Sequence, residues 1–419
     1  MTTSRGSSAS RPTKAARAGR SRRGGRGEEN TETLRNKVAI VVAADTEVGV
    51  VPDLGATQLY VKAAKLALAD AGIGKADIDG LITCVSWAEP YLYHAEMIAE
   101  YLQIFPRYCI TVPAGGGTTI AMLHHAASAI ATGMCNTVLI TMADSQVSGL
   151  SRDKAIEAMS TAGHPQFERP YGPPIPAFYA LIAQAHEHAY GTTAEQRAAV
   201  AVACRRHAAM NPAAQMRKPI TIADVINSRM IADPLHLLDC SLVSDGGAAI
   251  VMTSAERARD FPKRPVYLLG AGEGHSHEHL SQAVSLTTSA AKESGERAYA
   301  MAGLGPGDVD VAELYDCFTP VVIIELEDLG FCPKGEGGRF VADGRIELGG
   351  ELPINTHGGL LSHCHPGHPG SMFSITEAVR QLRGECGPRQ VADARVALVH
   401  GQGGFMSSHG TAIFGSETV

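Results

Sequence analysis

The stretch AGIGKADIDGLITC at residues 71–84 aligns without a gap on AGLGPGDVDVAELY at residues 302–315. In both copies an Ala-rich helical pattern runs into a Gly stop, and an apolar run follows it. The distance from Ala71 to Ala302 is far longer than the about 20–50 residues of a solenoid repeat. The repeat therefore predicts a duplicated protein, with two α/β halves that build one site between them.

Composition indicates a large globular α/β protein. The chain has 419 residues, of which 45% are hydrophobic and 19% are charged. Abundant Ala and Gly with few aromatic residues favour close packing of helices on a sheet. No apolar run approaches a membrane span of about 20 residues, and no signal-peptide pattern is present. The nine cysteines follow no disulfide spacing, which favours a reducing compartment and predicts a cytoplasmic protein.

The first part of the chain has a different composition. Eight basic residues lie between Arg5 and Arg26 among Ser, Gly, Ala and Thr, and the first acid is Glu28. Such a segment cannot bury apolar surface, so a disordered basic leader is predicted over residues 1–33. A nucleic-acid arm and a transit peptide are alternatives. The net charge is −7 even with these basic residues, so the body is acidic and nucleic acid is not expected as a partner.

The pattern beyond the leader alternates between strands and helices. The predicted elements of the first half are strands at 37–43, 80–84 and 137–142 and helices at 57–71 and 120–132. A Pro-rich loop and Ala-rich helices at about 145–219 interrupt the alternation and predict an insertion over the site. A terminal strand is predicted at 394–399. These observations predict an N-terminal half at 34–262 and a C-terminal half at 263–419.

Several short motifs together resemble the thiolase superfamily. They are Asn211-Pro-x-Ala214, Ser244-Asp-Gly-Gly-Ala248, Tyr315-Asp-Cys-Phe318, Glu325-x-Glu-x-x-Gly-Phe-Cys-x-x-Gly335, His365-Pro366 and Gly401-Gln-Gly-Gly404. Within this superfamily the chain is similar to bacterial thiolase-like proteins of the sterol carrier protein type. The resemblance implies a five-layer αβαβα thiolase fold, an acyl-CoA substrate, no cofactor besides the CoA thioester and a homodimer. It also implies pairing with a small zinc-ribbon and OB-fold protein as a further possibility.

The nucleophile of the family is missing from this sequence. Thiolases attack an acyl thioester with a Cys thiolate at a helix N-terminus, where the helix dipole lowers the thiol pKa. The matching turn here is Gly115-Gly116-Gly117, and the nucleophile position falls on Gly116. Gly116 and Gly117 are predicted to offer backbone amides to the thioester oxygen. A tight turn with no ligand is the alternative.

The His-Pro turn of the family falls on His365. The resemblance implies that His365 binds the thioester oxygen and transfers a proton. Five residues in this region offer a metal site as the alternative: His357, His363, Cys364, His365 and His368. Adjacent residues do not easily share one tetrahedral centre and the spacing fits no standard module, so no metal is predicted.

The segment Tyr315-Asp-Cys-Phe318 occupies the position of His-Asp-Cys-Phe in the sterol carrier type thiolases, so Tyr315 replaces the His. A Tyr here resembles the retro-aldolases of steroid side-chain degradation, which lack the nucleophilic Cys. The resemblance implies that Tyr315 takes the proton of a β-hydroxyl group if the site lowers its pKa, which is about 10 in water. Cys317 is a candidate acid/base thiol. Structural packing is the alternative for both residues.

The C-terminal strand carries the last candidates. His400 is a possible proton carrier, and Gly403 and Gly404 are predicted amide donors. The resulting hypothesis is an acyl-CoA enzyme that makes or breaks a carbon–carbon bond without an acyl-enzyme, as a retro-aldolase of a β-hydroxyacyl-CoA. A thiolase-type acyltransferase with another nucleophile and a non-catalytic subunit of a hetero-complex are the alternatives.

Overall fold

A computed structural model describes residues 33–418 except 152, 155, 156 and 158–160. The predicted basic leader lies outside the described residues, apart from its last position. The strands are β1 Val38–Asp45, β2 Gly80–Thr83, β3 Tyr108–Thr111, β4 Thr137–Ser145, β5 Met230–Ala232, β6 Leu235–His236, β7 Asp245–Ser254, β8 Val266–His275, β9 Val311–Glu313, β10 Val396–Gly403 and β11 Ser408–Gly415.

The α-helices whose residues are all described are also numbered in chain order. They are α1 Ala56–Ala71, α2 His94–Leu102, α3 Thr118–Ala131, α4 Ile175–Tyr190, α5 Ala194–Ala209, α6 Ile222–Ile226, α7 Ala291–Ala302, α8 Thr319–Asp328, α9 Gly337–Val341, α10 Gly359–Ser362 and α11 Gly370–Arg383. In the part of the chain that the structure covers, no helix is both long enough and apolar enough to cross a bilayer.

The main sheet contains the same strand arrangement twice. Its order is β3-β2-β4-β7-β1-β8-β11-β10-β9. In the first half β2 is parallel to β3 and β4, and β7 is antiparallel to β4 and β1. In the second half β9 is parallel to β10, and β11 is antiparallel to β10 and β8. Ile354 forms a parallel bridge with Ala312 of β9, in the place that β3 takes beside β2.

The repeated stretch occupies equivalent places in the two halves. Helices α1 and α7 end at Gly72 and Gly303, which adopt the left-handed conformation with φ of 66° and 65°. A short 3-10 turn and then β2 or β9 follow in each copy. Cys84 and Tyr315 therefore stand at equivalent strand ends, as the sequence repeat predicted.

The packing has five layers. A central apolar cluster contains α3 and α11 between strands of the two halves. A second cluster packs α1 on the other face of the first half, and a third packs α7 and α8 on the other face of the second half. Side chains alternate along each strand, as Val38 and Ile40 join the central cluster while Ala39 and Val41 face α1. The predicted thiolase-type layering is confirmed.

The segment between β4 and β7 covers the Tyr315 end of the sheet. Phe178, Tyr179 and Ile182 of α4 join Tyr315 and Phe405 in a fourth apolar cluster. The covering segment extends beyond the predicted insertion, because β6 also contributes a buried side chain to this cluster. We call the part of this cluster that lies over Tyr315 the apolar roof; it includes Phe178, Ile182, Phe405 and Met406. Its side chains cover one side of the strand end that carries Tyr315.

Helix α3 begins two residues earlier than the apolar pattern predicted. Residues Gly115–Gly117 form a 3-10 turn that leads directly into the helix at Thr118. The Thr118 hydroxyl accepts a hydrogen bond from the Ala114 amide at 2.8 Å. Thr118 is the first residue of the helix, so this bond ties the helix start to the residue before the glycine turn although Thr118 breaks the apolar pattern.

Candidate active site

Two of the predicted catalytic residues, Tyr315 and His365, lie in contact although they belong to different chain segments. The Tyr315 hydroxyl oxygen lies 3.1 Å from His365 Nε2. The two rings are nearly perpendicular, with 5.9 Å between their centres and 84° between their planes. Tyr315 follows β9, and His365 lies in the turn between α10 and α11. This separation is within hydrogen-bonding reach, so a proton can pass between phenol and imidazole.

Two serines hold His365, and neither was predicted as a site residue. His365 Nδ1 lies 2.9 Å from the Ser241 hydroxyl. The His365 amide donates to the Ser244 hydroxyl at 2.9 Å, and the Ser244 amide donates to the His365 carbonyl at 3.2 Å. Ser244 belongs to a motif that the sequence had singled out for its resemblance only. Ser241 gave no signal, since an isolated Ser has no pattern.

The glycine turn before α3 packs directly against Tyr315. A Cβ at Gly116 would stand 2.4 Å from Tyr315 Cζ and 2.2 Å from the Gln402 carbonyl oxygen. Gly115 has a φ of 58°, and a Cβ there would stand 2.7 Å from the Gly403 Cα. Atoms at these separations overlap, so the turn accepts only glycine at both positions. The Tyr315 ring fills the space next to the position that the family resemblance assigns to the nucleophile.

The predicted amide donors are not all free to bind an oxygen. The Gly117 amide donates to the Ala114 carbonyl at 3.1 Å, so the prediction for Gly117 needs correction: its N–H is used to close the turn. The Gly116 carbonyl accepts a bond from Ser371 Oγ. Gly403 and Gly404 lie at the end of β10 against the same turn. The structure therefore places Gly116 against Tyr315, and places Gly403 and the Gly404 nitrogen against the preceding Gly115.

Cys317 belongs to a separate buried hydrogen-bond group. Its Sγ accepts from Gln402 Nε2 at 3.1 Å, and the same amide donates to the Tyr179 hydroxyl at 2.8 Å. The Tyr179 hydroxyl donates to the Gly404 carbonyl at 2.8 Å. Burial raises the pKa of the Cys317 thiol, so it stays protonated at neutral pH. These bonds hold the β10 end in place, and the sequence did not predict the part of Gln402.

His400 forms its hydrogen bonds with residues other than Tyr315 and His365. Its Nδ1 lies 2.8 Å from the Thr411 hydroxyl and its Nε2 lies 2.9 Å from His409 Nδ1. The residue is fully buried, and burial lowers its pKa well below the ordinary value. His400 Nε2 also lies 3.7 Å from Glu325 Oε1, and the other carboxylate oxygen of Glu325 accepts the Tyr315 amide, so the role of His400 as a proton carrier stays a prediction. His400 and Gln402 share one face of β10, and Gln402, nearer the strand end, reaches the site region.

Burial sets the protonation states of the central pair. It raises the pKa of Tyr315 well above the ordinary value, and the neighbouring Cys317, Asp316 and Glu325 add to this rise. The sequence hypothesis required a lowered pKa, so that requirement is not met. Burial also lowers the pKa of His365 to about 4. A neutral phenol therefore faces a neutral imidazole at neutral pH.

One trio in the described part of the chain has the spacing of a metal site. The ligand atoms of Glu325, His400 and His409 lie within 4.8 Å of one another, and all three residues are buried. Glu325 Oε1 and His409 Nε2 have no hydrogen-bond partner among the residues that the structure describes. Two of the five candidate ligands near the His-Pro turn have other partners: His357 Nδ1 lies 2.8 Å from Glu313 Oε2, and His363 Nδ1 lies 3.1 Å from the Asn211 amide nitrogen.

The layered duplicated fold with a glycine turn facing a strand-end Tyr defines a thiolase-like enzyme. Residues 272–416 match the family model "Thiolase C-terminal domain-like", and the chain belongs to the thiolase superfamily. It is 41% identical over 372 residues to the 17-hydroxy-3-oxo-4-pregnene-20-carboxyl-CoA lyase of Mycobacterium tuberculosis. That match covers 84% of this chain and 92% of the lyase.

Two further relatives describe the range of the family. The acetyl-CoA acetyltransferase of Methanothermobacter thermautotrophicus is 34% identical over 386 residues, which cover 90% of this chain and 99% of that protein. The solved Ltp2-ChsH2(DUF35) aldolase is 37% identical with a TM-score of 0.82, and the match covers 91% of this chain and 98% of that chain. The relatives are enzymes of acyl-CoA chemistry, and the present chain is an enzyme of this group.

Proposed function

We propose that this protein cleaves a β-hydroxyacyl-CoA by a retro-aldol reaction, with Tyr315 and His365 as the proton-transfer pair. The observation that carries the proposal is the contact between Tyr315 and Gly116, because the ring fills the space that a side chain at Gly116 would need. A thiolase-type acyl-enzyme requires such a nucleophilic side chain. An aldol cleavage requires a proton acceptor and a stabilised enolate instead.

The first step moves the proton of the β-hydroxyl group. Tyr315 is too weak an acid to stand as a phenolate at neutral pH, because burial raises its pKa. The Tyr315 oxygen accepts the substrate proton while its own proton passes to His365 Nε2, 3.1 Å away. The bond between the α- and β-carbons then breaks. Its electron pair forms the enolate of the CoA thioester, and the β-carbon becomes a ketone or aldehyde.

The second step returns the proton. The imidazolium of His365 gives its Nε2 proton back to Tyr315, which delivers its own proton to the α-carbon of the enolate. The products are a shorter acyl-CoA and the carbonyl compound, and the enzyme returns to its starting state. No cofactor besides the CoA thioester takes part in these steps.

Donors near the glycine turn are proposed to stabilise the enolate oxygen. The turn leads into α3, whose 14 residues give its N-terminus a partial positive charge. Gly116 belongs to this turn, and Gly403 and the Gly404 nitrogen lie against Gly115 of the same turn. Their amides are the proposed donors, while the Gly117 amide is engaged in the turn. One such donor contributes about 3 kcal/mol to a transition state.

The apolar roof over Tyr315 supports a bulky apolar acyl group. The rings of Phe178 and Phe405 are tilted by 31° with 4.1 Å between their centres, and Ile182 and Met406 join the same cluster. Two relatives carry names that specify steroid substrates, the 17-hydroxy-3-oxo-4-pregnene-20-carboxyl-CoA lyase and the steroid side-chain-cleaving aldolase of Thermomonospora curvata. Steroid side-chain β-hydroxyacyl-CoA esters are therefore the proposed substrate class.

A partner subunit is a further part of the proposal. The solved Ltp2 aldolase is a complex with ChsH2(DUF35), which supports pairing of this chain with a zinc-ribbon and OB-fold protein. A homodimer of this chain is proposed as the other component of the assembly. Light scattering of the chain alone and with a co-expressed candidate from a neighbouring gene tests both points.

Mass spectrometry of the products separates retro-aldolase from acyltransferase. The protein, with and without the partner, is incubated with matched panels of β-hydroxyacyl-CoA and β-ketoacyl-CoA esters. A retro-aldolase releases a ketone or aldehyde and a shorter acyl-CoA from the hydroxy esters only. The intact mass of the protein should stay unchanged, and a stable acyl mass on any Cys would establish the acyltransferase instead.

A further inference from the structure

We propose that Ser241 is a positioning residue that holds His365 in the tautomer with its proton on Nδ1. In this tautomer Nε2 is a free acceptor that faces Tyr315. The kinetic consequence of the inference rests on the proposed retro-aldol function, whereas the tautomer itself does not depend on any substrate.

The His365 ring lies between two hydroxyl groups. Its Nδ1 is 2.9 Å from Ser241 Oγ, and its Nε2 is 3.1 Å from the Tyr315 oxygen. A neutral imidazole carries one N–H, so it donates to one of these hydroxyls and accepts from the other. If the proton sat on Nε2, His365 would donate to Tyr315 and could not receive its proton. The choice of tautomer therefore decides whether the pair works as a base.

The buried Tyr315 hydroxyl favours the proton on Nδ1. Tyr315 is buried, and among the described residues its hydroxyl has one hydrogen-bond partner, His365 Nε2. A buried O–H without an acceptor costs free energy, so the phenol donates to Nε2 and the hydrogen of the neutral ring belongs on Nδ1. The Ser241 hydroxyl, 2.9 Å from Nδ1, then accepts from it.

Ser241 is itself fixed to the segment that carries Tyr315. Its amide donates to the Cys317 carbonyl at 2.9 Å, and the preceding Cys240 forms an antiparallel bridge with Phe318. His365 is held to the same 241–244 segment through its backbone bonds with Ser244. The two hydroxyls and the imidazole thus share one rigid frame. Such support around a catalytic group usually fixes its orientation and tautomer.

Substitution of Ser241 should change turnover more than binding. Ser241→Ala leaves His365 free to populate the Nε2–H tautomer or to rotate, and we expect kcat to fall about tenfold with KM nearly unchanged. Ser241→Thr keeps the hydroxyl and should restore most of the lost turnover. Ser228→Ala is the matched control, since that partly buried hydroxyl bonds only the backbone of Val225 and Leu238, and its kcat should equal that of the unchanged protein.

Nitrogen NMR of the ring tests the tautomer without any substrate. The full chain is labelled with 15N-histidine, and the His365 signals are identified by their loss in His365→Gln. At pH 7.5 we expect a protonated Nδ1 and an unprotonated Nε2 in the unchanged protein and in Ser228→Ala. Ser241→Ala should shift the pair of signals toward mixed tautomers, and Ser241→Thr should restore them.

Two results would overturn the inference. One is a protonated Nε2 in the unchanged protein, and the other is a Ser241→Ala spectrum identical to it. Neither result decides the reaction, because the product analysis tests retro-aldol cleavage separately. Failure of cleavage with every ester would in turn leave the spectra as the deciding evidence on Ser241.

Discussion

Tyr315 and Gly116 depend on one another at the scale of single residues. The Tyr315 ring stands where a Cβ at Gly116 would be, and the Gln402 carbonyl bounds the same space from the other side. Burial keeps the phenol protonated and the imidazole of His365 neutral. The resting pair therefore carries no buried charge, which would be costly. A charge on His365 arises only when it receives the proton of Tyr315.

Substitution of Tyr315 tests its part in proton transfer. Tyr315→Phe keeps the ring between Gly116 and the apolar roof but removes the oxygen that faces His365, so kcat should fall by roughly 10²-fold while substrate binding persists. His365→Gln should lower kcat by a similar factor, and the double variant should lose little more because both residues serve one step. Steady-state kinetics with the identified ester measures this. Near-normal turnover in Tyr315→Phe would assign the ring to packing.

Addition of one methyl group at the glycine turn tests the steric argument. Gly116→Ala places a Cβ against Tyr315 and the Gln402 carbonyl, so we expect the free energy of unfolding to fall by about 1–3 kcal/mol and turnover to be lost. Gly116→Cys introduces the same Cβ, so it should lose stability to a similar extent. It should also trap no acyl group, although it restores a Cys at the nucleophile position of the family. Gly307→Ala is the control, because no atom of the described residues, apart from its chain neighbours, lies within 4 Å of its Cβ position. Denaturant titration and intact-mass analysis provide the measurements.

At the scale of elements, the repeat reaches into the loops. Asp79 precedes β2, and its carboxylate accepts the amides of Asn136 and Thr137 at the start of β4. Asp310 precedes β9 and accepts the amides of Arg395 and Val396 at the start of β10. The sequence showed both Asp residues in one alignment. It could not show their partners, because these lie more than 50 residues further along the chain.

The two Asp anchors should carry similar energies. Asp79→Ala and Asp310→Ala each leave two amides at a strand start without an acceptor, and we expect each to lower the free energy of unfolding by about 1–3 kcal/mol. Asp77→Ala is the control, because Asp77 caps only the exposed Gly74 amide and should cost less than about 1 kcal/mol. Urea denaturation compares the three. A negligible loss in Asp310→Ala with a full loss in Asp79→Ala would contradict the equivalence of the anchors.

At the scale of the whole molecule, the sequence predicted the layers better than the site. Periodic apolar residues fix which face of a strand is buried, so the alternating elements and the duplicated core followed from local pattern. The site depends on which distant loops meet. The sequence predicted His400 in the site, whereas its hydrogen bonds go to Thr411 and His409 on the neighbouring strand. Ser241 has no pattern of its own, and the domain limits at 262 and 263 stay a prediction.

Burial of neutral histidines should make the stability of the molecule depend on pH. His94 and His409 are almost fully buried, and burial lowers the pKa of each to about 4. A pKa lower in the folded than in the unfolded state gives stability that is full above about pH 6.5 and is lost as the pH falls toward 4. Within the described part of the chain both ring nitrogens of His94 lack hydrogen-bond partners, so His94 is the cleanest test.

His94→Phe should flatten part of this acid dependence. The ring keeps its edge contact with Tyr60, whose centre lies 5.1 Å away, but no longer binds a proton on unfolding. Relative to the unchanged protein, the variant should gain about 2 kcal/mol in free energy of unfolding between pH 7.5 and pH 5. The comparison of one variant with its parent removes the opposing contributions of buried carboxyl groups. Denaturant titrations at both pH values measure the difference, and an equal loss of stability in the two proteins would mean that His94 is already protonated in the fold.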